Sequence, residues 1–128
     1  MFKDNHYFDR PTPGPYYLTE LNGSLSPIWQ FQNTETKSCD RQPDGTLRCT
    51  SDHPSGFEWC VNAPAVDRDG TVYANSEDGN IYAITTGQIR DRFFLDKSVG
   101  AAYTPLSIDH AGRIYVLNNG HMKVVGGY

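Results

Sequence analysis

Short apolar runs alternate with glycine-bearing turns along most of the chain. Between 64 and 95 the runs "PAV", "TVYAN", "NIYAI" and "RFFL" follow one another, separated by "DRDG", "SEDG" and "TTG". No window keeps a helical period, so the pattern predicts strands joined by tight hairpins. Their places are an inner strand near 60–66, a second at 71–76, a third at 80–85 and an outer one at 88–95. The middle two are apolar on both faces, which suits a sheet covered on both sides. Turn pairs recur elsewhere: "NG" at 22–23, "DG" at 44–45, 69–70 and 78–79, "NG" at 119–120. Asn or Asp with Gly lets the backbone take positive φ in a hairpin.

The pattern repeats. Asp67, Gly70, Val72 and Tyr73 match Asp109, Gly112, Ile114 and Tyr115 at one constant spacing. After a one-residue deletion, Gly79 matches Gly120 and Ile81 matches Met122. Upstream, Ala63-Pro64-Ala65 corresponds to Thr104-Pro105-Leu106. A looser copy relates "NGSLSPIWQF" to "TGQIRDRFFL": Gly23 to Gly87, Leu25 to Ile89, Trp29 to Phe93 and Phe31 to Leu95. The extra spacing of that copy places an insertion within about 33–57. A period of about 40–45 residues built from short strands is the mark of a β-propeller, one four-stranded blade per unit.

The phrase "PAVDRDGTVYANSEDGNIYAITTG" followed by "RFF" resembles the pyrroloquinoline-quinone-type propeller repeat of the quinoprotein dehydrogenase-like family. "YTPLSIDHAGRIYVLNNGHMKVVG" is a second, degenerate match. The resemblance implies an all-β fold, a partial β-propeller of about two four-stranded antiparallel blades plus an outer half-blade. The divisions expected are a polar N-terminal arm at 1–15, an outer half-blade at 16–32 and an inserted loop or hairpin at 33–57. A complete blade follows at 58–96 and an incomplete final blade at 97–128. Closed propellers need at least four blades. The expectation is therefore a C-terminal piece of a longer propeller, with a ring assembled from copies as the alternative. The missing outer strand of the last unit would come from elsewhere, with 24–32 of a partner chain as a candidate.

The family also includes enzymes that use the quinone and calcium. Their vicinal cysteine pair is absent here, and Phe93 stands where their outer-strand tryptophan usually does, although Trp29 keeps it in the earlier copy. No cofactor is expected, with pyrroloquinoline quinone and calcium entering only under the alternative of a dehydrogenase fragment. The reading preferred is a non-catalytic scaffold or protein- or ligand-binding platform. Its partners would be the remaining blades, further copies of the chain, or another protein.

Composition narrows the classes. The chain has 128 residues, 38% hydrophobic and 20% charged, enough for one domain with a modest core. A formal net charge of −4 argues against nucleic acid, whose phosphates need a basic face. No apolar run approaches a membrane span, and the opening "MFKDNHYFDRPTPGPYY" lacks the apolar core of a signal peptide.

The candidate chemistry has a bland reading beside each sharp one. Asp67, Asp69, Glu77 and Asp78 could give calcium its oxygen ligands. Glycine follows Asp69 at once, so the EF-hand spacing is absent and turn chemistry is the expectation. Cys39 and Cys49 flank "DRQPDGTLR", and a hairpin centred on Asp44 would bring them face to face as a disulfide. Cys60 reads as a buried thiol, with Cys49–Cys60 as the rival pairing. No CxxC pair suggests zinc. A disulfide implies a periplasmic or extracellular location, although no export signal is visible.

Of the four histidines, His110 and His121 occupy turn-like positions, a metal pair being the sharper reading. "NGS" at 22–24 is a formal glycosylation sequon. Trp29, Phe31, Trp59, Tyr73, Tyr82, Phe93, Tyr103 and Tyr115 recur at equivalent strand positions and are expected to pack between blades. The insertion is the place for unit-specific binding. "TSDHPSGFEW" offers Asp52, His53, Phe57, Glu58 and Trp59 as a binding loop.

Overall fold

The computed structural model describes residues 2–3, 14–59, 63–97 and 106–126. Among them the chain is all-β, with no helix. The strands are β1 (Phe2–Lys3), β2 (Tyr17–Leu21), β3 (Pro27–Gln32), β4 (Lys37–Arg41), β5 (Leu47–Ser51) and β6 (Ala65–Val66). β7 (Val72–Asn75), β8 (Asn80–Thr85), β9 (Gln88–Phe94), β10 (Ser107–Ile108), β11 (Ile114–Asn118) and β12 (His121–Val125) follow. They form four antiparallel sheets in chain order: β1-β2-β3, β4-β5, β6-β7-β8-β9 and β10-β11-β12.

The hairpins form where turn chemistry demands them. Asp44, Asp69 and Asp78 each accept, on Oδ1, the backbone N–H two residues on, at 2.9, 3.0 and 2.8 Å. Asn22 does the same for Ser24 and Ser26, and Asp109 for Ala111 and Arg113. A short polar side chain thereby mimics a backbone turn. Gly79 is the most tightly enclosed of the described glycines. Its φ is +86°, and an added Cβ would stand 2.2 Å from the carbonyl oxygen of Asp96.

The central sheet, β6–β9, is covered on both faces. Strand alternation sends Val72, Ala74, Tyr82 and Ile84 to one side, where they pack with Trp59, Tyr16 and Leu18. Trp29 and Phe31 of the first sheet complete that cluster. Tyr73 and Ile81 go to the other side and meet Leu106, Ile114 and Val116 of the last sheet, with Leu95, Ile108 and Val125. Cross-strand pairing fixes this division, since Val72 pairs Ile84 and Ala74 pairs Tyr82 on one face, while Tyr73 pairs Ala83 on the other. Each fully buried aliphatic or aromatic side chain contributes roughly 1.5–3 kcal/mol. The two-sided apolar strands of the sequence thus serve two separate cores.

Several expectations change in detail. Phe2–Lys3, assigned to the polar arm, pairs with Leu18 and Thr19, so the first sheet has three strands rather than two. The inner strand of the central sheet is short, Ala65–Val66, with Trp59 bridging to Ser76 beyond it. The looser repeat holds for the hairpin but not residue by residue. Five residues, 22–26, join β2 to β3, whereas two, 86–87, join β8 to β9. Leu25 therefore lies in a turn with positive φ, while its counterpart Ile89 lies in a strand. Phe93, expected to pack, is mostly exposed, because in the last sheet no strand pairs beyond β12 among the described residues. Cys60, Tyr103, Thr104, Pro105 and His6 lie outside the described residues.

The insertion is a hairpin. Cys39 and Cys49 stand opposite each other on β4 and β5 and form a disulfide of 2.08 Å, which leaves no thiol for Cys60 to pair with at Cys49. The hairpin leans on the central sheet through the Arg92–Glu35 and Lys97–Asp40 ion pairs, at 3.2 and 3.3 Å. The Arg41 guanidinium lies over the Phe94 ring. These contacts are half-exposed and worth little individually. No helix of the described residues is long and apolar enough to cross a membrane.

Candidate functional site

The loop after β5 returns the chain to the central sheet, and a small cavity of about 180 Å³ opens beside it. Ser38, Cys39, Asp52, His53, Phe57, Glu77, Asp78 and Lys97 line it. Asp52 is held firmly there. Its Oδ2 accepts the Ser38 hydroxyl at 2.5 Å, and its Oδ1 accepts the Ser38 N–H at 3.2 Å and meets His53 Nδ1 at 2.7 Å. The Ser38 hydroxyl, and then His53, hold its carboxyl down to about 2. The His53 ring stacks on Phe57, with centroids 3.8 Å apart and planes 21° apart.

Two members of the expected binding loop are not at the surface. Phe57 is buried, and Trp59 is 0% exposed. Trp59 meets Phe31 and Tyr82 with centroids 5.8 and 5.5 Å away, and its indole N–H donates to the Tyr16 carbonyl at 3.3 Å. It belongs to the core between the first and central sheets. Glu58 is partly buried, and its carbonyl accepts from the Glu77 N–H and the Ser76 hydroxyl. Asp52 and His53 remain as the loop's outward groups. The Ser38 hydroxyl is bonded to the aspartate, not to the histidine, so the trio lacks the order of a hydrolytic triad.

The acidic cluster is dispersed among separate duties. Asp67 accepts from the Arg68 N–H; Asp69 caps its turn and pairs with Arg90 at 3.2 Å. Glu77 faces the small cavity, where burial first and the Glu58 carboxylate second push its carboxyl up. Asp78 is buried. Its carboxylate accepts from the Tyr82 hydroxyl and from Asn33 Nδ2, and burial pushes its carboxyl up against those bonds. Burial, and then the neighbouring Asp78 carboxylate, also push the Tyr82 phenol up. Among the described residues, no three His, Cys, Asp or Glu side chains stand together as a metal cage. His110 and His121 are both exposed, in the β10–β11 turn and at the start of β12.

Sequence reasoning missed the polar knot at the root of the insertion. Asn33, Ser76, Asp78 and Tyr82 are all buried, and Asn33 Nδ2 donates to Ser76 Oγ at 2.7 Å. Ser76 donates onward to the Glu58 carbonyl at 2.9 Å. Every buried side-chain polar atom of the described residues has a partner, which is what makes such a knot tolerable. Asn33 Oδ1 accepts the Glu35 N–H at 2.9 Å as an ordinary local turn, but the two acceptors of its amide nitrogen lie more than 40 residues away, where no local signal points.

A second, larger depression of about 620 Å³ runs between β9 and the last sheet. Tyr73, Ile81, Phe93, Ile114 and Val125 give it an apolar wall. The nearby Arg90 is spent on Asp69 and Thr71, and Arg92 on Glu35. Neither depression gathers a nucleophile, a base and an anion-stabilising donor on one point. No protein-family model matches this chain. No curated protein matches it closely enough to indicate kinship.

Proposed function

We propose that this chain is a partial β-propeller, about two four-stranded blades plus an outer half-blade, that serves as a non-catalytic scaffold or binding platform. The observation that carries the reading is the orientation of the central and last sheets. Val72 and its repeat mate Ile114 both face the preceding sheet, while Tyr73 and its mate Tyr115 both face away from it. Two repeat units stacked in the same sense are what successive blades require. The polar groups support the same reading, because Asp69, Asp78 and Asp109 are committed to turns and Asn33 and Tyr82 to the interior.

The disulfide favours a periplasmic or extracellular setting. Asp52 and His53, beside the small cavity, are the polar groups the insertion offers to a partner. The test is to add pyrroloquinoline quinone with calcium to the protein, following quinone absorbance and alcohol- or sugar-dependent dye reduction. The expected result is no spectral change at high micromolar quinone and no turnover. Dye reduction that depends on both additions would overturn the scaffold reading.

A further inference from the structure

We propose that the outward face of the last sheet is an interface for a second copy of this chain, which seats the outward face of its first sheet upon it. The inference rests on the stacked-blade reading and adds to it a specific partner and a specific pair of faces.

Strand pairing defines the first face. Tyr115 pairs with Val124 and Leu117 with Met122, all four on the side of the last sheet turned away from the central sheet. None of them is charged. Met122 is 67% exposed and Val124 52%. The repeat says what such a face meets. Tyr73 and Ile81, the counterparts of Tyr115 and Met122, lie on the matching side of the central sheet, and there Ile81 is only 3% exposed. What covers it is the next sheet, through Leu106, Ile114 and Val116. The same surface is therefore a sheet-to-sheet contact one repeat earlier, and one repeat later it stands uncovered among the described residues. An open apolar sheet face of this kind is an association site.

The chain carries one candidate to cover it. At the other end of the stack, the first sheet turns Leu18, Trp29 and Phe31 inward. Alternation then turns Thr19, Leu21, Ile28 and Gln30 outward, four uncharged side chains of which Thr19 is buried among its neighbours while Gln30 is exposed and Ile28 is 59% exposed. Gln30 bonds Thr19 across the strands at 3.2 Å, so its amide is already engaged. The side chains named on the two faces are uncharged; beside Tyr115 the Asp109 carboxylate is already paired with Arg113 at 2.6 Å and accepts the Tyr115 hydroxyl at 3.0 Å, so the charge bordering that face is compensated within the chain. The contact joins two different faces, so it is heterologous and head-to-tail, closing into a ring or growing onward according to the rotation per copy.

Light scattering after size exclusion tests this, with the 14.3 kDa chain, Met122→Glu and Ile28→Lys at matched concentrations through the micromolar range. Both positions are exposed, and unchanged thermal unfolding of each variant checks that the fold survives. The wild type should run at twice the monomer mass or more, and each variant alone as a monomer. An equimolar mixture of the two should form a one-to-one dimer, since one copy keeps an intact last-sheet face and the other an intact first-sheet face. A wild type that stays monomeric overturns the proposal. So does Ile28→Lys that still assembles, because the last-sheet face then pairs with something else. Quinone turnover in the assay above would retire the scaffold reading and leave these masses unaffected, so the two failures are separable.

Discussion

The side-chain amide of Asn33 donates to the hydroxyl of Ser76 at 2.7 Å, joining residues 43 apart in sequence. It ties the point where the chain leaves the first sheet to the β7–β8 turn of the central one. Asn33→Ala withdraws that donor and the one reaching Asp78, leaving a buried carboxylate short of a partner. The expected loss is about 1–3 kcal/mol in urea unfolding. An unchanged midpoint would show that water replaces the amide without penalty.

Two glycines with nearly the same φ should respond differently to alanine. Gly70 sits at +83° with open space around it, so Gly70→Ala costs only the left-handed strain of about 1–2 kcal/mol. At Gly79 the new methyl also collides with the Asp96 carbonyl, backbone that cannot turn aside. Overpacking adds roughly 1–3 kcal/mol there. Thermal denaturation of the pair should rank Gly79→Ala well below Gly70→Ala.

Removing the disulfide should loosen one hairpin more than the whole molecule. Cys39 and Cys49 staple β4 to β5, whose side chains are largely exposed and lie outside both core clusters. A cross-link of this kind stabilises by about 2–4 kcal/mol, mainly by restricting the open chain. Cys39→Ser with Cys49→Ser should therefore speed amide exchange across 37–51 while Val72, Ile84 and Val116 stay protected. Equal loss of protection in the central sheet would mean that the hairpin supports the stack.

Acid should find one carboxylate that stabilises and one that does not. Asp109 is held down to about 2, first by the Arg113 N–H and then by its guanidinium and the Tyr115 hydroxyl. Its folded value lies below the unfolded value of about 3.9. The stability it contributes is thus complete above about pH 4 and lost as pH falls through about 2. Asp109→Ala should be less stable than the wild type at neutral pH, with the gap narrowing from pH 4 downward.

Glu77 has the opposite sign, because burial and Glu58 push its carboxyl up. Its ionisation works against folding as pH rises. Glu77→Gln should match the wild type below about pH 4 and exceed it at neutral pH. Urea midpoints measured across that range would check both carboxylates, and parallel curves for either variant would refute the assignment.

The sequence determined the hairpins, because a turn is a local object. An Asp two residues before an N–H, followed by Gly, is enough to bend the chain at 44, 69 and 78. It also determined the disulfide, since a hairpin centred on Asp44 sets Cys39 opposite Cys49 whatever surrounds it. The two-sided apolar strands announced a covered sheet, and Val72 and Tyr73 indeed face separate cores.

Tertiary structure alone decided which side chains stayed at the surface. "SDHPSGFEW" reads as one polar loop with aromatics, yet Phe57 and Trp59 turn inward while Asp52 stays out. Burial depends on what another sheet brings to that spot, and no local pattern encodes the arrival of Tyr16 and Leu18 beside Trp59. The pairing of Phe2–Lys3 with β2 was hidden for the same reason, two residues being too short to show a period. The exposure of Met122 against the burial of its mate Ile81 is likewise a matter of neighbours: similar residues at equivalent positions differ only in whether a further sheet lies over them.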